Sequence, residues 1–249
     1  MAKMTRYEKN IGLKGITIEA QEKLSNSKVL VMGAGGLGSN VIMNLCAMGI
    51  GQIKIIDDGI VGEEDFNRQL IHKAKNIGRA RVMSAKDWIN EYNPDVKIEV
   101  DKIKIDELNY YNLIQGYDIL VDCLDTYESK FMLNEIAIRH NKTLIHGRVS
   151  GFSGQVTTII PEKTGCLACV IQKPGVFKNE QKCELSPVVA TIAGLQANEV
   201  LKVVTGIGTP LLNRMVIYDG LKCEFRYVSY SKNQNCNDCS KKEDENGLL

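Results

Sequence analysis

A glycine-rich loop offers the first chemistry in this sequence. The segment KVLVMGAGGLGSN breaks from one apolar run into glycines and then enters a second apolar run. Glycine between a buried strand and a helix lets the backbone turn tightly and approach a phosphate at the helix N-terminus. An acid at the end of the next apolar run can bind ribose hydroxyls. The pattern predicts a nucleotide site at Gly33, Gly35, Gly36, Gly38 and Asp57, and it leaves NAD and ATP open because both share the adenosine half.

Polar and cationic side chains follow this site closely along the chain. They are Asn67, Arg68, Gln69, Lys73, Lys75, Arg79 and Arg81. A hydride-transfer site needs a flat apolar slot for nicotinamide, whereas cations near a phosphate loop suit charge that develops on a phosphate during transfer. The segment therefore favours ATP over NAD, although Lys73 and Lys75 are more simply explained as solvated charges.

Two acids lie where the run LVD ends, in LVDCLDTYESK. The carboxyl edge of an open α/β sheet is where such folds bind ligands, and a carboxylate of Asp122 or Asp125 there can hold Mg²⁺ on a triphosphate. Asp125 or Thr126 could also cap the helix that follows, and the two roles are compatible.

Four of the eight cysteines form two pairs with metal-ligand spacing. Cys166 and Cys169 lie in GCLACV, and Cys236 and Cys239 lie in NCNDCS. In a reducing compartment such pairs bind a metal more often than they form disulfides. We expect one structural zinc ion held by four thiolates, which leaves no open coordination position for catalysis.

The other cysteines and the histidines carry weaker signals. Cys183 lies in the polar run KNEQKCELSP, so it is either an exposed nucleophile or an ordinary surface cysteine. Apolar patterns predict that three further cysteines are packing residues, namely Cys46, Cys123 and Cys223. The three histidines show no metal-ligand spacing, and we assign none of them a catalytic role.

A Rossmann-like α/β fold, with a mostly parallel sheet and helices on both faces, would position these residues. Continuous apolar runs predict parallel strands at 28–32, 53–57, 96–100, 118–122 and 143–147. Helical spacing predicts a short helix near 19–25 and a helix over 128–140. It also predicts two apolar helix faces, formed by Leu37, Val41, Leu45 and Met48, and by Val82, Ala85, Ile89 and Tyr92.

The pattern of polar and apolar residues changes from about Gln155. The runs QVTTII, MVIYDG and CEFRYVSY alternate in polarity and predict antiparallel strands. Between them lies a polar segment, 172–186, after which a helix should begin with Ser186 as its capping residue and Pro187 in its first turn. We divide the chain into an N-terminal arm (1–27), a nucleotide-binding part (28–154) and a C-terminal extension with the zinc site and a crossover loop (155–249), all in one continuous domain.

Composition limits the partners. The chain has 249 residues, a formal net charge of +1 and 44% hydrophobic residues, which is enough for a full core. Near-neutral charge argues against nucleic-acid binding, which needs a clustered basic excess. No run of about 18 apolar residues predicts a membrane span, and MAKMTRYEKN lacks an apolar signal core, so we expect a cytoplasmic protein.

The order of motifs resembles the ThiF/MoeB/HesA family, the bacterial relatives of the ubiquitin-activating enzymes. The resemblance covers nearly the whole chain, from RYEKNIGLKG through GAGGLGSN, IIDDGIVGEEDFNRQ, DCLDT, GCLACV, CELSPVVATIAGLQANEVLK and YDGLKCEFR to NCNDC. So many motifs in one order make it far more specific than a lone glycine fingerprint.

The resemblance implies an activity. Members of the family bind ATP and Mg²⁺, adenylate the C-terminal glycine of a small ubiquitin-like sulfur carrier ending in Gly-Gly, and release pyrophosphate. Asp57 matches the family's ribose-binding residue, Arg68 its triphosphate-binding arginine and Asp125 its magnesium ligand. The four paired cysteines match its zinc ligands, and Cys183 matches the cysteine that can receive the carrier as an acyl persulfide. The resemblance also implies a homodimer and a sulfur donor such as a cysteine desulfurase, in thiamine or molybdenum cofactor biosynthesis.

Four positions depart from the family pattern. Thr126 follows Asp125 where the family's magnesium motif has asparagine. Lys9 stands where the family usually has an arginine that reaches the partner subunit's ATP, and Arg81 stands where it usually has a lysine that serves its own site. Gly59 replaces the second acid of the family's Asp-x-Asp. The number of cationic residues is therefore the same as in the family pattern, whereas one carboxylate is missing. Two alternatives stay open on the sequence: an NAD-dependent oxidoreductase, and a non-catalytic relative that binds ATP.

Overall fold

A computed structural model describes residues 5–171 and 183–240 of the chain. Five strands come first: β1 (Lys28–Met32), β2 (Gln52–Ile56), β3 (Lys97–Asp101), β4 (Ile119–Asp122) and β5 (Thr143–Ser150). Three follow: β6 (Ser153–Ile159), β7 (Arg214–Asp219) and β8 (Glu224–Ser229). They form an eight-stranded sheet in the order β3-β2-β1-β4-β5-β6-β7-β8. The pairs among the first five strands are parallel and the later pairs are antiparallel, so the predicted fold class is confirmed.

Helices connect the strands. They are α1 (Glu8–Ile11), α2 (Ile18–Asn26), α3 (Gly36–Met48), α4 (Arg81–Tyr92), α5 (Tyr110–Ile114), α6 (Tyr127–Arg139), α7 (Leu167–Val170) and α8 (Ser186–Thr205). Two short 3-10 turns, Glu63–Asp65 and Ala74–Asn76, fold the charged connection between β2 and α4. Most predicted elements therefore lie within one or two residues of their observed positions.

The sheet has an apolar cluster on each face. One cluster joins Val31 of β1 and Ile55 of β2 to α3, α4 and α8, and the other joins Leu30 of β1 and Leu120 of β4 to α5 and α6. Alternate residues of one strand thus serve opposite faces, as the pleat of a strand requires. This burial on both sides explains why the parallel strands read as continuous apolar runs.

The N-terminal arm packs against the nucleotide-binding part. Tyr7 is 7% exposed, and its hydroxyl accepts a hydrogen bond from Asn93 Nδ2 at 2.8 Å. Its ring lies beside Gly49, which ends α3 in the left-handed region at φ 84° and where a Cβ would come within 2.5 Å of Tyr7 Cζ. Glycine is needed there both for the backbone conformation and for the contact.

Three sequence predictions were wrong in detail. The N-cap of α8 is Leu185 with no side-chain cap, so Ser186 is the first helical residue and not the cap. Tyr92 is 45% exposed, because it lies in the last turn of α4, where it stacks on Trp88 at the surface. Cys223 is exposed and has φ 55° in the turn between β7 and β8, so it is a turn residue and not a packing residue. Cys46 and Cys123 are buried as predicted.

By length and hydropathy alone, α8 is the one helix in the described ranges that could cross a membrane. It packs instead against α3, β5 and β6, with Val189 and Ile192 fully buried in the core. We therefore interpret it as a core helix. Most of the polar segment predicted at 172–186 lies outside the described residues, as do residues 1–4 and 241–249.

Candidate active site

The glycine loop joins β1 to α3 at the carboxyl edge of the sheet. Gly33 has φ 99°, and a Cβ there would lie 2.7 Å from Cys123 O. A Cβ on Gly38 would lie 1.9 Å from Gly33 O, so any side chain at 38 would force the loop open. Gly35 is the N-cap of α3 and Gly36 its first residue. The loop thus places backbone without side chains at the N-terminus of a 13-residue helix, where anions bind.

Asp57 follows β2 and braces the glycine loop. Its Oδ2 accepts a hydrogen bond from Ala34 N at 2.7 Å, and its Oδ1 accepts one from Gly59 N at 2.7 Å. The carboxylate therefore lies at the loop, facing the cleft, with lone pairs left for further donors. A Cβ on Gly59 would lie 2.9 Å from Arg81 Nη1, so the Arg81 guanidinium occupies the space that a side chain at position 59 would need.

A buried acid, Asp65, holds the two predicted arginines. Arg81 Nη2 donates to both Asp65 oxygens, at 3.1 and 2.8 Å, and Arg68 Nη2 lies 3.7 Å from Oδ1. Gln69 Nε2 also donates to Asp65, at 2.6 Å. Asp65 is 1% exposed, while both arginine side chains keep about a quarter of their surface exposed (24% and 22%). Sequence reasoning missed Asp65, although it lies three and four residues before Arg68 and Gln69, a spacing that can bring side chains together.

Buried polar atoms on this wall lack hydrogen-bond partners among the described residues. They are Arg68 Nε, Gln69 Oε1 and Arg81 Nε. A buried polar group without a partner costs free energy, and native structures keep few of them. Their concentration in the three predicted cleft side chains fits a wall built for a polar ligand.

A second buried network supports the loop that carries Asp125. Asp122 is fully buried; its Oδ1 accepts from Lys130 Nζ at 3.0 Å and from Leu124 N at 3.1 Å. Its Oδ2 lies 2.7 Å from His146 Nδ1. Asp122 is therefore structural and not a cleft residue, whereas Asp125 is exposed at the cleft. Thr126 and not Asp125 caps α6, accepting from Ser129 N at 3.2 Å.

The hydrogen bonds assign the charge state of this network. Gln155 Nε2 donates to His146 Nε2 at 3.2 Å, so the ring proton must be on Nδ1, facing Asp122. Burial lowers the pKa of His146 although Asp122 opposes it, so the imidazole is neutral near pH 7. Burial of Asp122 disfavours its charge, yet Lys130 and His146 hold the pKa of that carboxyl below its usual value. The network is an ion pair with a neutral histidine, and no proton in it is poised for transfer.

The loop, the arginine wall and Asp125 face one cleft of about 250 Å³. The predicted residues that line it are Gly33, Gly35, Gly36, Asp57, Arg68, Gln69, Arg81 and Asp125. Four others do not line it. Gly38 lies beneath the glycine loop. Asn67 is exposed, and its Nδ2 donates to Glu184 O at 3.1 Å. Cys183 is exposed beside Glu184, and Lys9 is exposed on α1.

Sequence reasoning missed several polar and charged lining residues, among them Lys104, Lys130, Arg148 and Glu184. Lys130 faces the cleft from α6, and Arg148 lies in β5 with its guanidinium 4.4 Å from the Tyr127 ring centroid. Glu184 reaches into the cleft from the segment before α8, and burial raises its pKa although Arg68 and Lys130 oppose the rise. Helical spacing from Asp125 could have suggested Lys130. Neither Arg148 nor Glu184 has a local signal, because their place in the cleft depends on distant chain segments.

A larger open groove of about 880 Å³ lies at the opposite edge of the sheet, by Lys28 and Ile119 at the starts of β1 and β4. Its polar lining is mostly surface lysine and glutamate, such as Lys23 and Glu22. Ligands of open α/β sheets bind at the carboxyl edge, so the chemistry belongs to the smaller cleft.

The four paired cysteines meet away from this cleft. Their Sγ atoms all lie within 4.8 Å of one another, and three of the contacts are 3.9, 3.6 and 3.5 Å. A tetrahedral ion with Zn–S bonds of about 2.3 Å places sulfurs about 3.8 Å apart, so the donor set fits zinc. Asn233 N donates to Cys169 Sγ at 3.4 Å, and such outer contacts orient metal-binding thiolates.

Curated relatives match nearly the whole chain in sequence. The chain is 34% identical over 239 residues to the adenylyltransferase and sulfurtransferase MOCS3-1 of Zea mays, an alignment that covers 94% of the chain and 51% of that protein. It thus spans about half the length of the first curated relatives it matches. It is 30% identical to the SAMP-activating enzyme E1 of Haloferax volcanii (95% and 88% covered) and 29% identical to the sulfur carrier protein adenylyltransferase of Thermus thermophilus (99% and 94% covered).

The fold itself recurs in solved structures. E. coli MccB in complex with MccA-N7isoASN aligns with a TM-score of 0.86 at 22% identity, over 96% of this chain and 75% of that one. The family model of the ThiF family matches residues 7–239, which include the glycine loop, the arginine wall, Asp125 and all four paired cysteines. The chain therefore belongs to the ThiF family.

Proposed function

We propose that the chain is an ATP-dependent adenylyltransferase that activates the C-terminal glycine carboxylate of a small ubiquitin-like sulfur carrier as an acyl-adenylate. The observation that carries the proposal is the single cleft onto which the glycine loop, Asp57, two arginines and Asp125 all open. The names of three relatives support it: two are adenylyltransferases and the third is a SAMP-activating enzyme.

The proposed reaction joins two anions. A carboxylate oxygen of the carrier bonds to the α-phosphorus of ATP, the bond to the β-phosphate oxygen breaks, and pyrophosphate leaves with its electron pair. A carboxylate is ionised near neutral pH, so no general base is needed. The protein's task is to orient the reactants and offset their charge. Arg68 and Arg81, held on one wall by Asp65, supply positive charge at fixed positions.

Two further groups would complete the site. Asp57 would bind the ribose, because its carboxylate lies at the glycine loop with accepting capacity to spare. Asp125 would hold Mg²⁺, since an exposed carboxylate oxygen in the cleft is the kind of donor that Mg²⁺ takes. When bound, the ion would neutralise charge on the triphosphate. With a glycine at position 59, Arg81 fills the space of a second acid.

Neither Lys9 nor Cys183 lines the cleft of its own chain, so each would act on the bound substrates from outside it. Lys9 is exposed on α1, so we propose that it reaches the cleft of a second copy in a homodimer. Cys183 is exposed next to a cleft residue. It is proposed to receive the outer sulfur of a persulfide on a donor such as a cysteine desulfurase, which is left as a thiol. The outer sulfur on Cys183 would then attack the carbonyl of the carrier's acyl-adenylate, forming an acyl persulfide and releasing AMP. The zinc site would be structural, because four sulfurs fill a tetrahedral ion.

The rival functions make different demands on the cleft. An oxidoreductase needs an apolar slot for nicotinamide, whereas cationic residues such as Arg68, Arg81, Lys104 and Arg148 line this one. A non-catalytic relative would bind ATP without exchanging its pyrophosphate. Exchange is therefore the deciding measurement.

The test is ATP–pyrophosphate exchange with purified candidate carriers of the thiamine and molybdenum cofactor types, each ending in Gly-Gly. One carrier should support exchange, and the same carrier without its last glycine should not. Arg68→Ala should reduce exchange about 10²–10³-fold, as removal of a transition-state charge partner does. Cys183→Ala should keep exchange and lose any covalent carrier adduct. ATP binding without exchange for any carrier would refute the proposal, and tight NADH binding without a response to ATP would favour the oxidoreductase.

A further inference from the structure

The Glu184 carboxylate lies in the part of the cleft that the proposed function assigns to phosphate. Its Oε2 is 3.3 Å from Arg68 Nε and 3.0 Å from the position that a Cβ on Gly36 would take. Gly36 is the first residue of α3, so the carboxylate lies at the positive end of a 13-residue helix and beside a guanidinium. A carboxylate and a phosphate oxygen are anionic acceptors for the same donors, and both cannot occupy this place.

The contact between Glu184 and Arg68 is close but poorly aligned. Arg68 Nε makes no hydrogen bond in the described ranges although the Glu184 oxygen is within ion-pair distance. The pair is therefore held by charge and not by a directed hydrogen bond, which makes it weaker than a forked arginine–carboxylate pair. Arg68 has other anchors, since its Nη1 donates to Asn67 Oδ1 at 2.8 Å and to Glu64 O at 3.1 Å. It can keep its place when Glu184 leaves.

Two hydrogen bonds hold the backbone at Glu184 in place. Gly151 N donates to Cys183 O at 3.0 Å, and Asn67 Nδ2 donates to Glu184 O at 3.1 Å. Both acceptors are backbone carbonyl oxygens, so the Glu184 side chain can rotate out of the cleft while the backbone of Cys183 and Glu184 stays in place.

We propose that the Glu184 carboxylate occupies the position in the cleft that a phosphate of ATP would take, and that ATP displaces it by rotation of the side chain. The proposal rests on the assignment of the cleft to ATP. The affinity for ATP then includes the free-energy cost of moving this carboxylate out of the cleft.

The test compares the affinities of the protein and its variants for ATP and AMP. Dissociation constants of ATP and AMP are measured by titration calorimetry for the full chain, for Glu184→Gln and for Glu63→Gln, an exposed control on the neighbouring 3-10 turn. Removing the competitor should lower the ATP Kd about fivefold, as expected for a partly exposed ion pair that reduces the competent fraction. AMP lacks the outer phosphates and should change less than about twofold, by the same competition argument. Glu63→Gln should change neither.

The dissociation constants can also overturn the proposal. If Glu184→Gln binds ATP equally or more weakly than a binding-competent parent chain, the proposal is overturned while the proposed function stands. Equal tightening for ATP and AMP also overturns it. A parent chain that binds no ATP overturns both.

Discussion

Replacing Lys130 by methionine should unfold the protein at a markedly lower temperature. Lys130 is 1% exposed and has the largest fully buried side chain in the described part of the chain. Methionine keeps much of the apolar stem but leaves the fully buried Asp122 carboxylate without its cation and Gly147 O without its 2.7 Å donor. Asp122 Oδ1 keeps only the amide of Leu124.

The size of the effect follows from this geometry. Removing one partner of a buried pair costs about 3–5 kcal/mol, because the other charge stays buried. The surviving bonds from Leu124 and His146 favour the lower end, about 3 kcal/mol. For a chain of this length 1 kcal/mol corresponds to about 2–4 °C, so Tm should fall by roughly 6–12 °C.

Thermal melting followed by circular dichroism measures this, with Lys142→Met as the matched control. Lys142 pairs with Asp118 at a similar distance, 3.1 Å, but Asp118 is 94% exposed. That control should lose less than about 1 kcal/mol. Adding Asp122→Asn to Lys130→Met should restore part of the loss by removing the stranded charge. A Lys130→Met protein that melts within about 2 °C of its parent would refute the reasoning, since it would lie below the smallest shift expected.

Three further predictions concern metal, pH and backbone. Purified protein should carry about one zinc per chain by elemental analysis, and Cys169→Ser should lose zinc and stability while Cys223→Ser, an exposed thiol outside the cluster, keeps both. Burial lowers the pKa of His146 in the folded chain below 6.5, so the unfolded chain binds more protons than the folded chain as the pH falls. In urea titrations the free energy of unfolding should be at its full value above pH 6.5 and should fall below it by at most about 1.4 kcal/mol per pH unit. The His146→Asn variant should show a shallower slope. Gly38→Ala should abolish ATP binding in calorimetry, because the new Cβ would lie 1.9 Å from Gly33 O. Gly194 lies inside α8, and a Cβ there would have no atom beyond its own helix backbone within 4 Å. Gly194→Ala should therefore raise the free energy of unfolding by about 0.5–1 kcal/mol.

The sequence carries the fold wherever a local pattern decides the structure. The parallel strands are buried on both faces, so their apolar runs were visible, and Gly33 and the glycines after it mark the turn into α3. The cysteine pairs were visible because metal coordination requires two donors at a fixed short spacing. Cys223 misled because an apolar neighbourhood in sequence became a surface turn with positive φ.

The parts that sequence could not supply depend on residues brought together from afar. Asp122 lies against His146, 24 positions away, and against Gln196, which donates to its carbonyl from 74 positions away. No spacing rule connects such partners, so an acid that ends a strand looked equally suited to bind magnesium. Glu184 likewise entered the cleft from a segment 116 positions beyond Arg68, as the difference of their numbers shows.

With the proposed zinc ion bound, the cysteine cluster would act on the chain as a cross-link. Cys166 and Cys236 are separated by 70 positions, and the enclosed loop contains Cys183, Glu184, α8 and the hairpin of β7 and β8. By analogy with a disulfide, closing a loop of that length removes unfolded-state entropy worth about 4 kcal/mol. The enclosed loop excludes β1 to β5, which carry the glycine loop and Asp57. A chelator would therefore make local unfolding of the enclosed loop easier, and it would remove no cross-link from the part of the chain that carries the glycine loop and Asp57.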